Sequence, residues 1–188
     1  MDLPPVQERI VDAYVRLAQS TSSQAITVTR LCAEAGVSRS TFYVQFEGLE
    51  SVPSLIVYGT LQDIRRTFRN CEFIDLARAM RTNRPIPMLQ QEFEYISKER
   101  ERFAWLIGTN GPEEFHKSHF KLFRDALTGA VEGMLPADDL ELVITLSYGA
   151  FERLTREWLA SGCANSPEHE AWVATRTLKA LVSEFTAN

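Results

Sequence analysis

The chain has 188 residues, a formal net charge of −5 and a sequence pI of about 5.3. Its hydrophobic content of 45% supports a sizeable core in one or two small domains, while the acidic balance excludes a protein that coats nucleic acid nonspecifically. No apolar run approaches a membrane span, the start Met-Asp-Leu-Pro-Pro does not read as a signal peptide, and Cys32, Cys71 and Cys163 are odd in number and widely spaced, so they form neither a disulfide framework nor a metal motif and the cytoplasm is the expected compartment.

The pattern over 5–19 predicts a first helix. Pro4 and Pro5 suit its start, and Val6, Ile10, Ala13, Tyr14 and Leu17 share one face. A polar loop, Ser20 to Gln24, follows. Residues 26–46 then read as two short helices joined by a tight turn. Thr27 is placed to cap the first, its hydroxyl accepting from an orphan backbone N–H. Val28, Leu31, Cys32 and Ala35 recur at helical spacing. Gly36 can take the left-handed conformation that ends a helix. Ser38 is the next cap, and Phe42 with Phe46 gives the second helix an i, i+4 apolar face. Cys32 must be small because the two helices approach closely there. A short helix, a glycine turn and a second short helix form a helix-turn-helix, which presents a recognition helix to the major groove of DNA. The first helix is expected to pack across the pair and complete a three-helix head.

At these positions the sequence resembles the TetR family of bacterial transcriptional regulators. The resemblance lies in Thr27-Val28, Leu31-Cys32, Ala35-Gly36-Val37-Ser38, Thr41-Phe42-Tyr43 and Phe46, and covers roughly residues 5–60, about a third of the chain. It implies an all-α protein with a DNA-binding head at 1–47 and a larger effector-binding and dimerisation domain at 48–188. Arg39 and Ser40 at the start of the recognition helix, with Tyr43 one turn on, are placed to reach base edges. Ser38, Thr27, Thr29, Thr41 and Gln45 complete the DNA-facing set, the threonines and Gln45 suiting phosphates by the resemblance and by their position at helix ends. Relatives commonly carry a phosphate-contacting Lys where this sequence has Leu49. The resemblance further suggests repression of a pseudo-palindromic operator, relieved by a small-molecule effector of unknown identity.

The head is not basic. Residues 1–50 hold Arg9, Arg16, Arg30 and Arg39 against Asp2, Glu8, Asp12, Glu34, Glu47 and Glu50, a net of −2, where a DNA-reading domain is usually positive. This motivates a second reading, a relative with weak or lost DNA binding that acts through a protein partner.

Residues 48–69 predict a long fourth helix, starting either near Ser51 with Pro53 in its first turn or kinked at Pro53. Beyond it the pattern is amphipathic helix throughout, near 72–81, 86–99, 101–108, 113–133, 138–161 and 167–186, with Gly, Pro and Asn breakers between. The last two are apolar on more than one face, so each is expected to be buried on more than one side. That assigns them to a homodimer interface. Gly149 and Ala150 would allow close approach, and Phe151, Trp158, Trp172 and Phe185 would supply apolar area, some of it to the core of the single chain. Phe103, Trp105, His116, Phe120 and Phe123 are candidates to line an effector pocket. His116 and His119 at i, i+3, with Glu113 before them, have a spacing that metal ligands use; a helical metal-binding protein or enzyme is the third reading. A solvated polar face fits that set better, so neither a metal nor a cofactor is assigned, and no catalytic motif is present.

Overall fold

A computed structural model describes residues 3–22, 25–69, 81–82, 84–109, 111–131 and 135–186. The described residues are all-α or irregular. They fall into two compact units, Met1–Asp63 with Glu101–His116, and Ile64–Arg100 with Lys117–Asn188.

The first unit begins with α1 (Pro5–Ser20), opened by Pro5 at its first position, where the missing N–H has no helical partner to lose. Ile10, Val11, Tyr14 and Leu17 are buried on one face. α2 (Val28–Ala35) and α3 (Arg39–Gln45) follow, and both pack on α1. Thr27 Oγ1 accepts from Arg30 N at 3.2 Å, and Ser38 Oγ accepts from Thr41 N at 3.0 Å. Gly36 has φ +63° and its N–H donates to Ala33 O, while Val37 N donates to Cys32 O at 3.0 Å. Those two bonds satisfy carbonyls that a helix end leaves open. Leu31, Cys32, Phe42 and Phe46 are buried at the centre, with the rings of Phe42 and Phe46 stacked at 5.6 Å.

α4 (Ser51–Arg69) starts at Ser51, so Pro53 stands in its first turn, where a proline removes no helical hydrogen bond. Gly48 and Leu49 form the turn before it, their carbonyls accepting from Ser51 N and Val52 N. The first unit is completed from later in the chain. α6 (Arg100–Leu106) brings Phe103, Trp105 and Leu106 into its core. Trp105 meets Tyr14 edge-on with ring centroids 5.5 Å apart, and Gln19 donates to the carbonyl of Glu101 at 2.8 Å.

The second unit is built from α5 (Pro87–Lys98), most of α7 (Glu113–Val131), α8 (Ala137–Ala160) and α9 (Pro167–Thr186). α9 packs against both α5 and α8. The buried Thr175 hydroxyl accepts from Ile86 N at 2.9 Å, which satisfies an orphan donor at the start of α5. Phe93 sits under α8, with ring centroids 5.3 Å from Phe151 and 5.5 Å from Trp158. These helices start and stop within two residues of the sequence expectation wherever both ends are described. The helix expected over 72–81 lies outside the described residues but for Arg81, as does Cys71.

Candidate nucleic-acid interface and regulatory core

The caps and the Gly36 turn fix how α3 is presented. Arg39, Ser40 and Tyr43 are exposed, Tyr43 at 52%. Ser38 Oγ lies 2.8 Å from both Ser40 Oγ and Thr41 Oγ1, so the three hydroxyls are knitted together at the helix start. Thr27 and Thr29 are exposed at the start of α2, and Thr41 and Gln45 are partly covered. The predicted DNA-facing residues are therefore exposed or partly exposed at the start of α2 and along α3. One further residue of α3, not singled out from the sequence, is exposed beside them. Val44 is 79% exposed, the highest value among the large exposed apolar side chains of the described residues. Its place beside Tyr43 in α3 is the signal that could have found it.

The predicted effector residues divide. Phe103 and Trp105 belong to the core of the first unit, where Phe103 meets Phe115 at 6.2 Å and Trp105 meets Tyr14. His116 lies next to Phe115, its ring 6.2 Å away. Phe120 and Phe123 come together in the second unit, both edge-on to Tyr148 at 5.0 and 5.5 Å. Beside them is a buried polar cluster that the sequence did not disclose. His119 Nε2 lies 2.7 Å from Glu92 Oε1, with both side chains inaccessible or nearly so. His119 Nδ1 lies 3.1 Å from the Tyr148 hydroxyl, which donates onward to Glu152 at 3.4 Å. Burial first, and the nearby Glu152 and Glu92 carboxylates after it, push the Tyr148 hydroxyl well above the usual phenol range. His119 thus turns inward to Glu92. Among the described residues no group of three or more His, Cys, Asp or Glu is arranged to hold a metal ion. Burial also raises the Cys163 thiol, ahead of a smaller opposing pull from Arg100, which favours the unreactive form.

The predicted interface residues divide as well. Phe151 and Trp158 are buried in the core of the single chain, against Phe93. Gly149 is exposed, Ala150, Trp172 and Phe185 are half-buried, and the Arg176 guanidinium lies 4.9 Å from the Trp172 ring centroid. Leu142 and Leu146 are 46% and 44% exposed and fall on the same stripe of α8 as Gly149. A Cβ placed on Gly149 would meet nothing within 4 Å among the described residues beyond its own helix backbone. Between α8 and α9 is a cavity of about 390 Å³ lined by Leu89, Phe123, Ala150, Phe151, Leu154 and Leu178 among others, with the Arg153–Glu157 ion pair at 2.8 Å beside it.

A capped helix-turn-helix followed by a larger helical unit is the architecture of an all-α class of transcriptional regulators. The profile of a family described as transcriptional regulator C-terminal region matches residues 83–180. The chain belongs to the TetR family of transcriptional regulators. Solved structures share the fold at low identity. The fatty acid degradation regulator FadR of Bacillus halodurans is 17% identical with a TM-score of 0.69, over 95% of this chain and 97% of that one. FadR of Bacillus subtilis, in complex with stearoyl-CoA, is 18% identical with a TM-score of 0.64, over 94% and 97%. SmeT, the repressor of the Stenotrophomonas maltophilia multidrug efflux pump SmeDEF, is 16% identical with a TM-score of 0.58, over 93% and 89%. No curated protein matches the chain. Among the described residues no helix is long and apolar enough to cross a membrane.

Proposed function

We propose that the chain is a homodimeric repressor whose heads read a pseudo-palindromic operator and whose second unit binds a small-molecule effector that releases it. The observation that carries this reading is α3, held by two caps and a left-handed glycine, with Arg39, Ser40, Tyr43 and Val44 all exposed on it. A helix so short and so firmly placed has little to do for the core beyond Phe42, and its outward row suits the floor of a major groove. SmeT is a repressor of the same fold, and B. subtilis FadR of that fold carries stearoyl-CoA; both support a ligand-released repressor. The exposed Leu142, Leu146 and Gly149 support a seam between two copies, since a glycine whose missing side chain this chain does not require leaves room for a second backbone.

A mobility shift with the region upstream of its own gene tests DNA binding, and the same fragment driving a reporter tests the sign of regulation. Arg39 can bond two acceptors of one guanine, worth about 1–3 kcal/mol of discrimination. Arg39→Ala is therefore expected to weaken the specific site and relax preference at one base pair; a uniform loss on all sequences would make Arg39 a phosphate contact instead. Val44 has no polar group, so the base feature open to it is a thymine methyl. Replacing thymines of the half-site with uracil, one at a time, is expected to cost about fourfold in affinity at one position, as for one buried methylene-sized group. Val44→Ala should reduce that dependence. Indifference at every thymine removes Val44 from base reading.

A second reading has its own support in the net charge of −2 over residues 1–50 and in the half-buried Leu49 at the foot of α4. On that reading the head grips phosphate weakly and the protein acts through a protein partner. Absence of any sequence-selective shift, even at low salt, would favour it.

A further inference from the structure

The polar cluster of the second unit is incomplete as the chain leaves it. Glu92 on α5 is 1% exposed and His119 on α7 is 2% exposed. Glu92 Oε1 is taken by His119, but Glu92 Oε2 is buried and has no hydrogen-bond partner among the described residues. A buried acceptor without a donor forfeits its full hydration, so native cores rarely keep one. Whatever completes it must bring an N–H or O–H. The chemistry of that oxygen narrows the choice. The cluster joins two carboxylates, Glu92 and Glu152, to one imidazole, with a phenol between them. The atom left open, Glu92 Oε2, is a carboxylate oxygen and an acceptor. A carboxylate or phosphate ligand would meet repulsion there. A cation would not, and the surrounding rings favour it further: Phe120 and Phe123 lie against Tyr148, and Phe151 lies 5.9 Å from the His119 ring. Aromatic faces attract ammonium and guanidinium groups. The chain already uses one of them in this way, with the Arg124 guanidinium 5.2 Å from the Phe120 centroid.

We propose that this cluster is the recognition site for an organic amine, whose ammonium donates to Glu92 Oε2 while its apolar body lies among the phenylalanines. The assignment rests on the effector-binding reading above and gives it a chemical class. It also separates this chain from a protein that takes free fatty acids, because the head group of such a ligand carries the wrong charge.

The test is isothermal titration of the full-length protein, without DNA, with three ligands that differ only in their head: 1-octylamine, 1-octanol and sodium octanoate. Octylamine is expected to bind at least about tenfold more tightly than octanoate, the scale of one hydrogen bond to a charged group. Glu92→Gln keeps the shape and an acceptor oxygen but removes the charge. It should weaken octylamine about tenfold or more and leave octanol unchanged, a selective effect that a merely structural role would not produce. The three-ligand comparison on the unaltered protein stands even if the variant folds poorly. Octanoate binding as tightly as octylamine, no saturable octylamine binding, or equal losses of amine and alcohol in Glu92→Gln would each overturn the proposal and leave Oε2 to a buried water. An operator mobility shift, run separately, keeps the two readings apart. Glu92-dependent amine binding that leaves DNA binding unchanged would contradict release by the effector while sustaining the amine site.

Discussion

Ala150→Glu is expected to give folded monomers that no longer hold DNA. Ala150 is half-buried beside the cavity between α8 and α9, one residue from Gly149 and one turn from the exposed Leu146. In a symmetric pair, two new carboxylates would be brought into one apolar seam, where Arg153 of the same cavity is already paired with Glu157. An uncompensated charge of that kind costs about 3–5 kcal/mol, which lowers dimer affinity by roughly 100- to 1,000-fold or more. On the proposed reading a single head makes too few contacts to hold a site. Two heads with recognition helices about 34–36 Å apart are needed for successive major grooves. Sedimentation would therefore show the monomer, circular dichroism an unchanged helical signal, and the mobility shift a near-complete loss. A persistent dimer with normal DNA affinity would move the interface off this face.

The second large effect concerns the core of the second unit. His119→Leu is expected to destabilise the protein by about 3–5 kcal/mol, because it leaves the fully buried Glu92 carboxylate without its partner. Adding Glu92→Leu should recover most of that loss, since apolar residues in place of a whole buried pair are often neutral or better. Urea denaturation of the two variants reads the difference directly. A loss below about 1 kcal/mol in the single variant would fall within the range of an ordinary neutral hydrogen bond and would deny the pair its place in holding α5, α7 and α8 together. The double variant is also expected to lose octylamine binding while staying folded, which separates the stabilising use of the cluster from its use toward a ligand.

The head was legible because its chemistry is local. Thr27 and Ser38 accept from N–H groups three residues on, and Gly36 adopts the one conformation that its lack of a Cβ makes easy. Each of those choices can be read within a few residues of sequence, and Phe42 with Phe46 confirms the face. The start of α4 at Ser51 was one of two options that Pro53 allowed, and the turn hydrogen bonds from Gly48 and Leu49 decide it. The second unit was legible only as a set of helices. Glu92, His119 and Tyr148 are 27 and 29 residues apart along the chain, and nothing in the spacing of any one helix pairs them. His119 instead invited comparison with His116, its neighbour on the same helix, although its partners lie on two others. Phe151 and Trp158 fit an interface and a core equally well by periodicity, and only the placement of Phe93 assigns them to the core. Val44 was hidden for the opposite reason. An apolar residue in a short helix suggests burial, and only its exposure reveals that it was left outside.

The way Trp105 closes on Tyr14 bears on how modular this regulator is. A fragment ending at residue 47, or even at 63, would carry every predicted DNA-facing residue and still lack Phe103, Trp105 and Leu106, side chains that fill the same core. The reading head is thus not a cassette at the front of the gene. Grafting a foreign effector domain onto it would need the segment 101–116 to travel with it, and on the ribosome the head would stay unfinished until that segment had emerged.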